Sequence, residues 1–131
     1  MDTTALKKRV KLLALRIVRL VEALPSSVAA QVIGKQVLRS GTSVAANYYS
    51  ACKARSRKDF ISKIGIAEEE ADETLLWLEL ITESKMLKED KVEGLLTEVN
   101  EIISILAASR ITAKRNEFAS ARHSSFGNRQ S

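Results

Sequence analysis

The sequence predicts an all-α protein, an antiparallel up-down-up-down four-helix bundle in a single domain. The chain has 131 residues, a natural size for one domain with one core. It contains 5 Gly and 1 Pro, too few for the many turns of an all-β fold. Apolar residues recur at spacings of three and four in four successive stretches, and short polar segments separate these stretches.

The first helix is predicted from about Thr4 to Leu24. Asp2 with Thr3 or Thr4 can cap its start, and Pro25 ends it because proline disfavours helix in the residue before it. Its apolar seam has the spacing of a left-handed bundle. The seam residues are Leu6, Val10, Leu13, Ile17, Leu20 and Leu24.

The second helix is predicted to start near Ser26 or Ser27 and to continue to about Cys52. Its middle is rich in small residues, which let another helix cross closely, and Gly41 is the point at which a bend is expected. The small residues are Ser40, Gly41, Ser43, Ala45 and Ala46. The expected apolar side consists of Val28, Val32 or Ile33, Val37 and Val44.

The third helix is predicted to begin at the cap residue Ser56, with Asp59 three residues later as in a capping box, and to extend to about Ser84. One side carries Phe60, Ile64, Ala67, Ala71, Leu75 and Leu78. The second half, LLWLELI, is apolar nearly all round, which is typical of a helix buried on more than one face.

The fourth helix is predicted from about Lys88 to Arg115. Its seam residues are Val92, Leu95, Val99, Ile102 and Leu106. From residue 116 onward Ser, Arg, Asn and Gln dominate, which favours a disordered basic tail. We therefore expect a bundle domain over 1–115 and a tail over 116–131.

Apolar residues outside the predicted seams indicate that copies of the chain associate. A lone four-helix protomer cannot hide all of them, and an aromatic residue such as Trp77 is a good interface anchor. The residues predicted to form an oligomer interface are Leu12, Leu15, Ile66, Leu76, Trp77 and Leu80.

Charge is distributed unevenly along the chain, although the total is only +5. Residues 1–58 carry 12 Lys/Arg and 2 Asp/Glu, a net charge of +10, whereas residues 59–109 carry 4 and 13, a net charge of −9. The remaining residues carry 5 and 1, a net charge of +4. Two interpretations stay open: the basic and acidic parts pack together within or between subunits, or they are solvated faces.

Basic residues in two segments are expected to face outward, where they could bind a partner. They are Lys7, Lys8, Arg9, Lys11, Lys53, Arg55, Arg57 and Lys58. Such groups bind phosphates through counterion release without sequence preference. The chain has no zinc-finger spacing, recognition helix or aromatic platform. The partner is therefore RNA or DNA, or alternatively a protein with the basic surface incidental.

Arg39 and Asn47 lie eight residues apart and are expected on one side of the second helix. In a bundle core, Arg39 would need a carboxylate partner and Asn47 would need a full set of hydrogen bonds. We predict a structural polar network with the third helix, in which Glu73 or Glu69 is the partner of Arg39. Ligand binding at the same place is the alternative interpretation.

The sequence offers no set of residues for catalysis, a metal or a cofactor. His123 is the only histidine, and Cys52, the only cysteine, has no marked base. The carboxylates at 68–73 point around a helix instead of toward one ion. We predict no enzyme and no cofactor. Without an apolar run long enough for a membrane span, and with a charged N-terminus, we expect a cytoplasmic protein.

Three motifs together resemble a known family. They read QVLRSGTSVAAN at 36–47, RSRKDF at 55–60 and WLEL at 77–80. The pattern resembles bacterial four-helix bundle proteins that include those encoded in intervening sequences of large-subunit rRNA genes. More distantly, it is similar to the accessory variability proteins of diversity-generating retroelements. The similarity covers roughly Leu6 to Leu106.

The resemblance implies a four-helix bundle protomer and a ring-shaped homo-oligomer of five subunits, and it implies no known enzyme activity. For some relatives it implies association with nucleic acid. The chain departs from the family pattern in two places: Ala45 stands where proline is common, and Ser50-Ala51 where Glu-Gly is common. The second helix is therefore expected to be straighter, and no role of that glutamate is transferred.

Overall fold

The structure is a computed structural model that describes the backbone of residues 1–130 and the side chains of residues 1–119. The described chain forms four α-helices and no strand, in one domain. They are α1 (Thr3–Glu22), α2 (Val28–Cys52), α3 (Arg57–Glu83) and α4 (Glu89–Gln130). In the described part, no helix is both long enough and apolar enough to span a membrane.

Local sequence signals set the helix starts, as predicted. The Asp2 carboxylate accepts from the Ala5 backbone N–H at 2.7 Å, and the Ser56 hydroxyl accepts from that of Asp59 at 3.0 Å. Ser27 caps α2 in the same way, through the N–H of Ala30 at 3.2 Å. Each cap satisfies a backbone donor that the first helical turn leaves without a partner.

The seams predicted for α1 and α4 form the core, apart from Leu24, which is half-buried. The prediction for α2 is partly wrong. Val37 and Val44 are buried, and Ile33, the predicted alternative to Val32, is half-buried against the core, but Val28 and Val32 are largely exposed. In the first turns of α2, the two exposed valines lie on the side opposite the core. Ala30 and Gly34 face the core instead.

The helices pack in the order of the chain, α1 on α2, α2 on α3 and α3 on α4. A weaker contact between α1 and α4 completes the core. Within the residues described, no Cα atom of α1 lies within 8 Å of one in α3, so the two helices occupy diagonally opposite positions.

Gly41 permits the close crossing of α1 and α2 that the small residues predict. A Cβ atom at this position would lie 2.3 Å from Cδ1 of the buried Ile17, far inside contact distance. The helix α2 is continuous through Gly41. Only glycine leaves room for α1 here without displacing Ile17.

The helix α4 continues to Gln130, so it extends past its predicted end near Arg115. The predicted disorder of the tail, residues 116–131, falls mostly on residues whose side chains lie outside the described part of the chain. It stays a prediction, as does the domain boundary at 115.

Candidate nucleic-acid interface and assembly surfaces

One end of the bundle brings together basic side chains from separate segments. Lys53 and Arg55 lie in the connection between α2 and α3, and Lys58 lies in the first turn of α3; all three are exposed. Lys7 of α1 reaches the same end, with its Nζ atom 4.8 Å from the centre of the Tyr49 ring. We call Lys7, Lys53, Arg55 and Lys58 the basic end.

A groove of about 790 Å³ adjoins the basic end, between the connection from α2 to α3 and the helix α4. Arg55, Arg57 and Phe60 line one side, and Ile105 and Asn116 line the other. The guanidinium of Arg57 donates to the Asn116 carbonyl oxygen at 2.8 Å, which ties the start of α3 to α4.

Arg9 is not available to a phosphate in the way that the sequence suggests. Its Nε atom donates to Glu98 at 3.0 Å, and one terminal nitrogen, Nη2, pairs with both Glu98 and Glu101 of α4. These hydrogen bonds, that with Glu98 above all, raise the pKa of Arg9. The residue therefore joins α1 to α4, because two carboxylates already neutralise it.

Lys8 and Lys11 are exposed on the outer side of α1, away from the core. They lie near Leu12 and Leu15, which are also exposed. Lys11 and Leu15 border a shallow apolar groove between α1 and α2, with Ala45 and Tyr49 on its far side. Lys8 and Lys11 therefore belong to the outer surface of α1 as well as to the basic segment.

Arg39 bridges α2 and α3 at the surface, not in the core. Its guanidinium pairs with Glu73 and, at 3.0 Å, with Glu70, while 47% of its side chain is exposed. Arg39 lowers the pKa of Glu73, and the indole N–H of Trp77 donates to the same carboxylate at 3.2 Å. Glu70, not Glu69, is the second partner, and Glu69 is exposed.

Asn47 does not join this network, so that part of the prediction is wrong. Its amide donates to the Ser43 carbonyl oxygen of its own helix at 2.9 Å. Eight residues exceed two helical turns by about 80°, which turns Asn47 away from the direction of Arg39. No hydrogen bond of this side chain reaches α3 among the residues described.

The buried polar contact between α2 and α3 is instead formed by Ser40 and Thr74, both fully buried. The Thr74 hydroxyl donates to the Ser40 hydroxyl oxygen at 2.8 Å and lies 2.7 Å from the Glu70 carbonyl oxygen. The sequence indicates only that Ser40 is small. Thr74 lies three residues after Ala71 and four before Leu78, so the helical spacing could have predicted that this polar residue is buried.

The residues predicted for an oligomer interface lie outside the core. Trp77 is half-buried, and the others are exposed: Leu12, Leu15, Ile66, Leu76 and Leu80. A single protomer therefore leaves these apolar side chains in contact with water, which is the arrangement that an interface requires.

Cys52 is half-buried beside Tyr48. Burial, followed by the contact with Cys52, raises the pKa of Tyr48 to about 12. In the part of the chain with described side chains, His, Cys, Asp and Glu form no group that could hold a metal ion. His123 lies outside that part.

Comparison with known proteins gives a match to one family. The family described as 23S rRNA-intervening sequence protein matches residues 3–108. A solved structure with TM-score 0.75 shares 38% sequence identity and is a protein of unknown function from the S23 ribosomal protein family of Bacteroides thetaiotaomicron. The match covers 80% of this chain and 97% of that one. Curated proteins give no match.

Proposed function

Because the chain belongs to the 23S rRNA-intervening sequence protein family, we propose that it is a non-enzymatic, homo-oligomeric nucleic-acid-binding protein. The basic end is the proposed binding surface. The proposed protomer is an up-down-up-down bundle, since its helices are joined by short connections. The proposed assembly is a ring of five subunits in the cytoplasm.

One observation supports the binding surface: basic side chains of the segment 53–58, with Lys7 of α1 at the same end, have no carboxylate partner within the described residues. Lys53, Arg55 and Lys58 form no ion pair within the described residues, whereas Arg9, Arg39 and Arg110 each bind one or two glutamates. Unpaired cations release counterions when they bind phosphates, and this release favours binding. Repetition of the basic end around a ring multiplies weak contacts.

The experiment measures binding of labelled single- and double-stranded RNA and DNA at increasing salt. The test variant is K53A/R55A/K58A. The matched control K35A/K88A/K91A removes the same charge from three exposed lysines away from the basic end. For a single strand, each lost phosphate contact reduces the slope of log K against log salt by about 0.7, so the test variant loses about 2.

The proposal requires the control to keep the wild-type slope. Equal losses in both variants would mean that overall charge, and not the basic end, attracts nucleic acid. Absence of binding at low salt, or binding that does not change with salt, would reject a nucleic-acid role.

A second candidate function is that of a protein assembly module without a nucleic-acid role. The exposed leucines of α1 and α3 favour it, because they suit a protein surface and not a phosphate backbone. An oligomer that binds none of the four nucleic acids at low salt would support this candidate.

A further inference from the structure

We propose that the outer face of α1 in one copy of the chain binds the outer face of α3 in the next copy. The inference rests on the homo-oligomer in the proposed function and specifies which two surfaces meet. It concerns a heterologous contact, in which each copy contributes two different faces.

The outer face of α1 combines an apolar centre with positive charge. Leu12 and Leu15 are 53% and 48% exposed, and they lie on the side of the helix away from its buried seam. Lys8, Lys11 and Arg19 share that side, and all three are exposed. None of the three forms an ion pair among the described residues.

The outer face of α3 has the same arrangement with the opposite sign. Leu76 and Leu80 are 50% and 39% exposed on the side away from the buried seam of α3. Glu69, Asp72 and Glu83 share that side and are exposed, and they too lack an ion pair in the described part of the chain.

Several other acidic residues of the bundle are already paired. Glu68 accepts from Arg110 at 2.7 Å, Glu70 and Glu73 bind Arg39, and Glu98 with Glu101 binds Arg9. The outer face of α3 thus has uncompensated carboxylates beside exposed leucines. A partner face with leucines and three cations compensates them, and such complementarity selects the partner and fixes the register.

The positions of the two helices decide the kind of assembly. Because α1 and α3 are diagonal in the bundle, their outer faces point in opposite directions. A twofold dimer would place α1 on α1 or α3 on α3 and bring like charges together. Pairing of α1 with α3 joins copies head to tail, and a contact of this kind closes into a ring when the rotation between copies permits.

Gly65 supports a close approach to α3. It lies on the outer face, one turn before Glu69, and a Cβ atom placed on it would meet nothing within 4 Å. Glycine inside a helix costs about 1 kcal/mol relative to alanine, and the packing of the protomer gives no reason for it. A neighbouring backbone or side chain against α3 would supply that reason.

The test reverses each face separately. K8E/K11E/R19E makes the outer face of α1 acidic, and E69K/D72K/E83K makes that of α3 basic. Each variant alone then presents two faces of like charge, so sedimentation should show wild-type oligomers converted to monomers. In a mixture of the two variants the contact forms only between unlike copies, so complexes that contain both variants should appear, although an odd-numbered ring of five cannot close with alternating copies.

The chain with all six changes carries both faces reversed and should assemble like the wild type. The control K35E/K88E/K114E changes the same number of charges at exposed lysines outside the two outer faces and should leave assembly unchanged. Circular dichroism checks the helix content of every variant, and recovery in the mixture cannot come from unfolded chains.

The outcomes separate this inference from the proposed function. A monomeric wild type would remove the homo-oligomer, and the inference with it. A wild-type oligomer that survives either reversal, or reversed variants that fail to assemble when mixed, would overturn the inference alone and leave the oligomer to other surfaces. The nucleic-acid test is independent, because it changes only Lys53, Arg55 and Lys58.

Discussion

The two sides of the bundle are held together in different ways. Around α2, helices approach closely through small and neutral groups: Gly41 against Ile17 of α1, and Ser40 against Thr74 of α3. Between α1 and α4 the contact is slight, and the long side chain of Arg9 spans it to reach two glutamates. Close packing therefore stabilises the contacts of α2 with α1 and α3, whereas ion pairs connect α1 to α4.

This difference predicts different sensitivities. Where two backbones lie close together, an added methyl group has no space, and a lost hydroxyl leaves a buried partner without a hydrogen bond. Where charged side chains cross a gap in contact with water, the contact depends on salt and tolerates substitution.

The largest expected effect comes from Gly41→Ala, with Gly94→Ala as its counterpart on the open side. Overpacking a core destabilises a protein by about 1–3 kcal/mol. The higher helix propensity of alanine relative to glycine offsets about 1 kcal/mol of this cost. Gly41→Ala should therefore lower the free energy of unfolding by up to about 2 kcal/mol. A Cβ at Gly94 meets only the end of the Arg16 side chain, at 3.0 Å, so Gly94→Ala should stabilise.

Urea denaturation measures both glycine variants. Equal effects of the two would remove the distinction between the close side and the open side.

The next effect is that of Thr74→Val. The Ser40 hydroxyl keeps only a long contact of 3.4 Å with the Val37 carbonyl oxygen, so the variant should lose about 1 kcal/mol. The double variant S40A/T74V removes both polar groups and should recover most of that loss. If the double variant is less stable than the sum of the two single variants predicts, the hydroxyl pair is not the source of the effect.

Replacement of Arg9 by Met should cost about 0.5 kcal/mol at low salt, since its ion pairs are partly exposed. At 1 M NaCl the difference from wild type should shrink, whereas that of Thr74→Val should persist. Urea denaturation at both salt concentrations tests this. A salt-independent Arg9→Met effect would show that the stem of Arg9, and not its charge, joins α1 to α4.

The smallest effect concerns the ion pair of Arg39 with Glu73 at the edge of α2 and α3. Arg39 lowers the pKa of Glu73 in the folded protein below its usual value. Its contribution to stability is therefore present above the unfolded pKa, about 4.3, and is lost as pH falls through the lower folded value. Arg39→Gln should flatten the acid side of the stability profile, measured against Lys35→Gln as the control.

The sequence predicts the helices and most of the core because those signals are local. Capping by Asp2, Ser27 and Ser56 depends on residues three positions away, and a seam such as that of α4 repeats within one helix. The prediction is wrong at Val28, an apolar residue that lies on the side of α2 opposite Val37 and Val44. Of the alternatives Val32 and Ile33, Ile33 packs against the core and Val32 is exposed.

The candidate site is less predictable because it joins distant segments. Arg39 and Glu73 were paired correctly by charge, but Glu70 replaces Glu69 and Asn47 bonds its own helix. Nothing in the neighbourhood of Arg9 in the sequence indicates Glu98 or Glu101, which lie 89 and 92 residues away. The choice among many carboxylates depends on which helices are neighbours.

By itself, the sequence determined that this chain forms four amphipathic helices and that leucines remain outside their seams, since periodicity and caps act within a few residues. Only the tertiary structure decided that Arg9 is neutralised, that Ser40 meets Thr74, and that α1 and α3 stand diagonally with oppositely charged outer faces. The rotation and position of each helix relative to the others depend on packing between residues far apart in the chain.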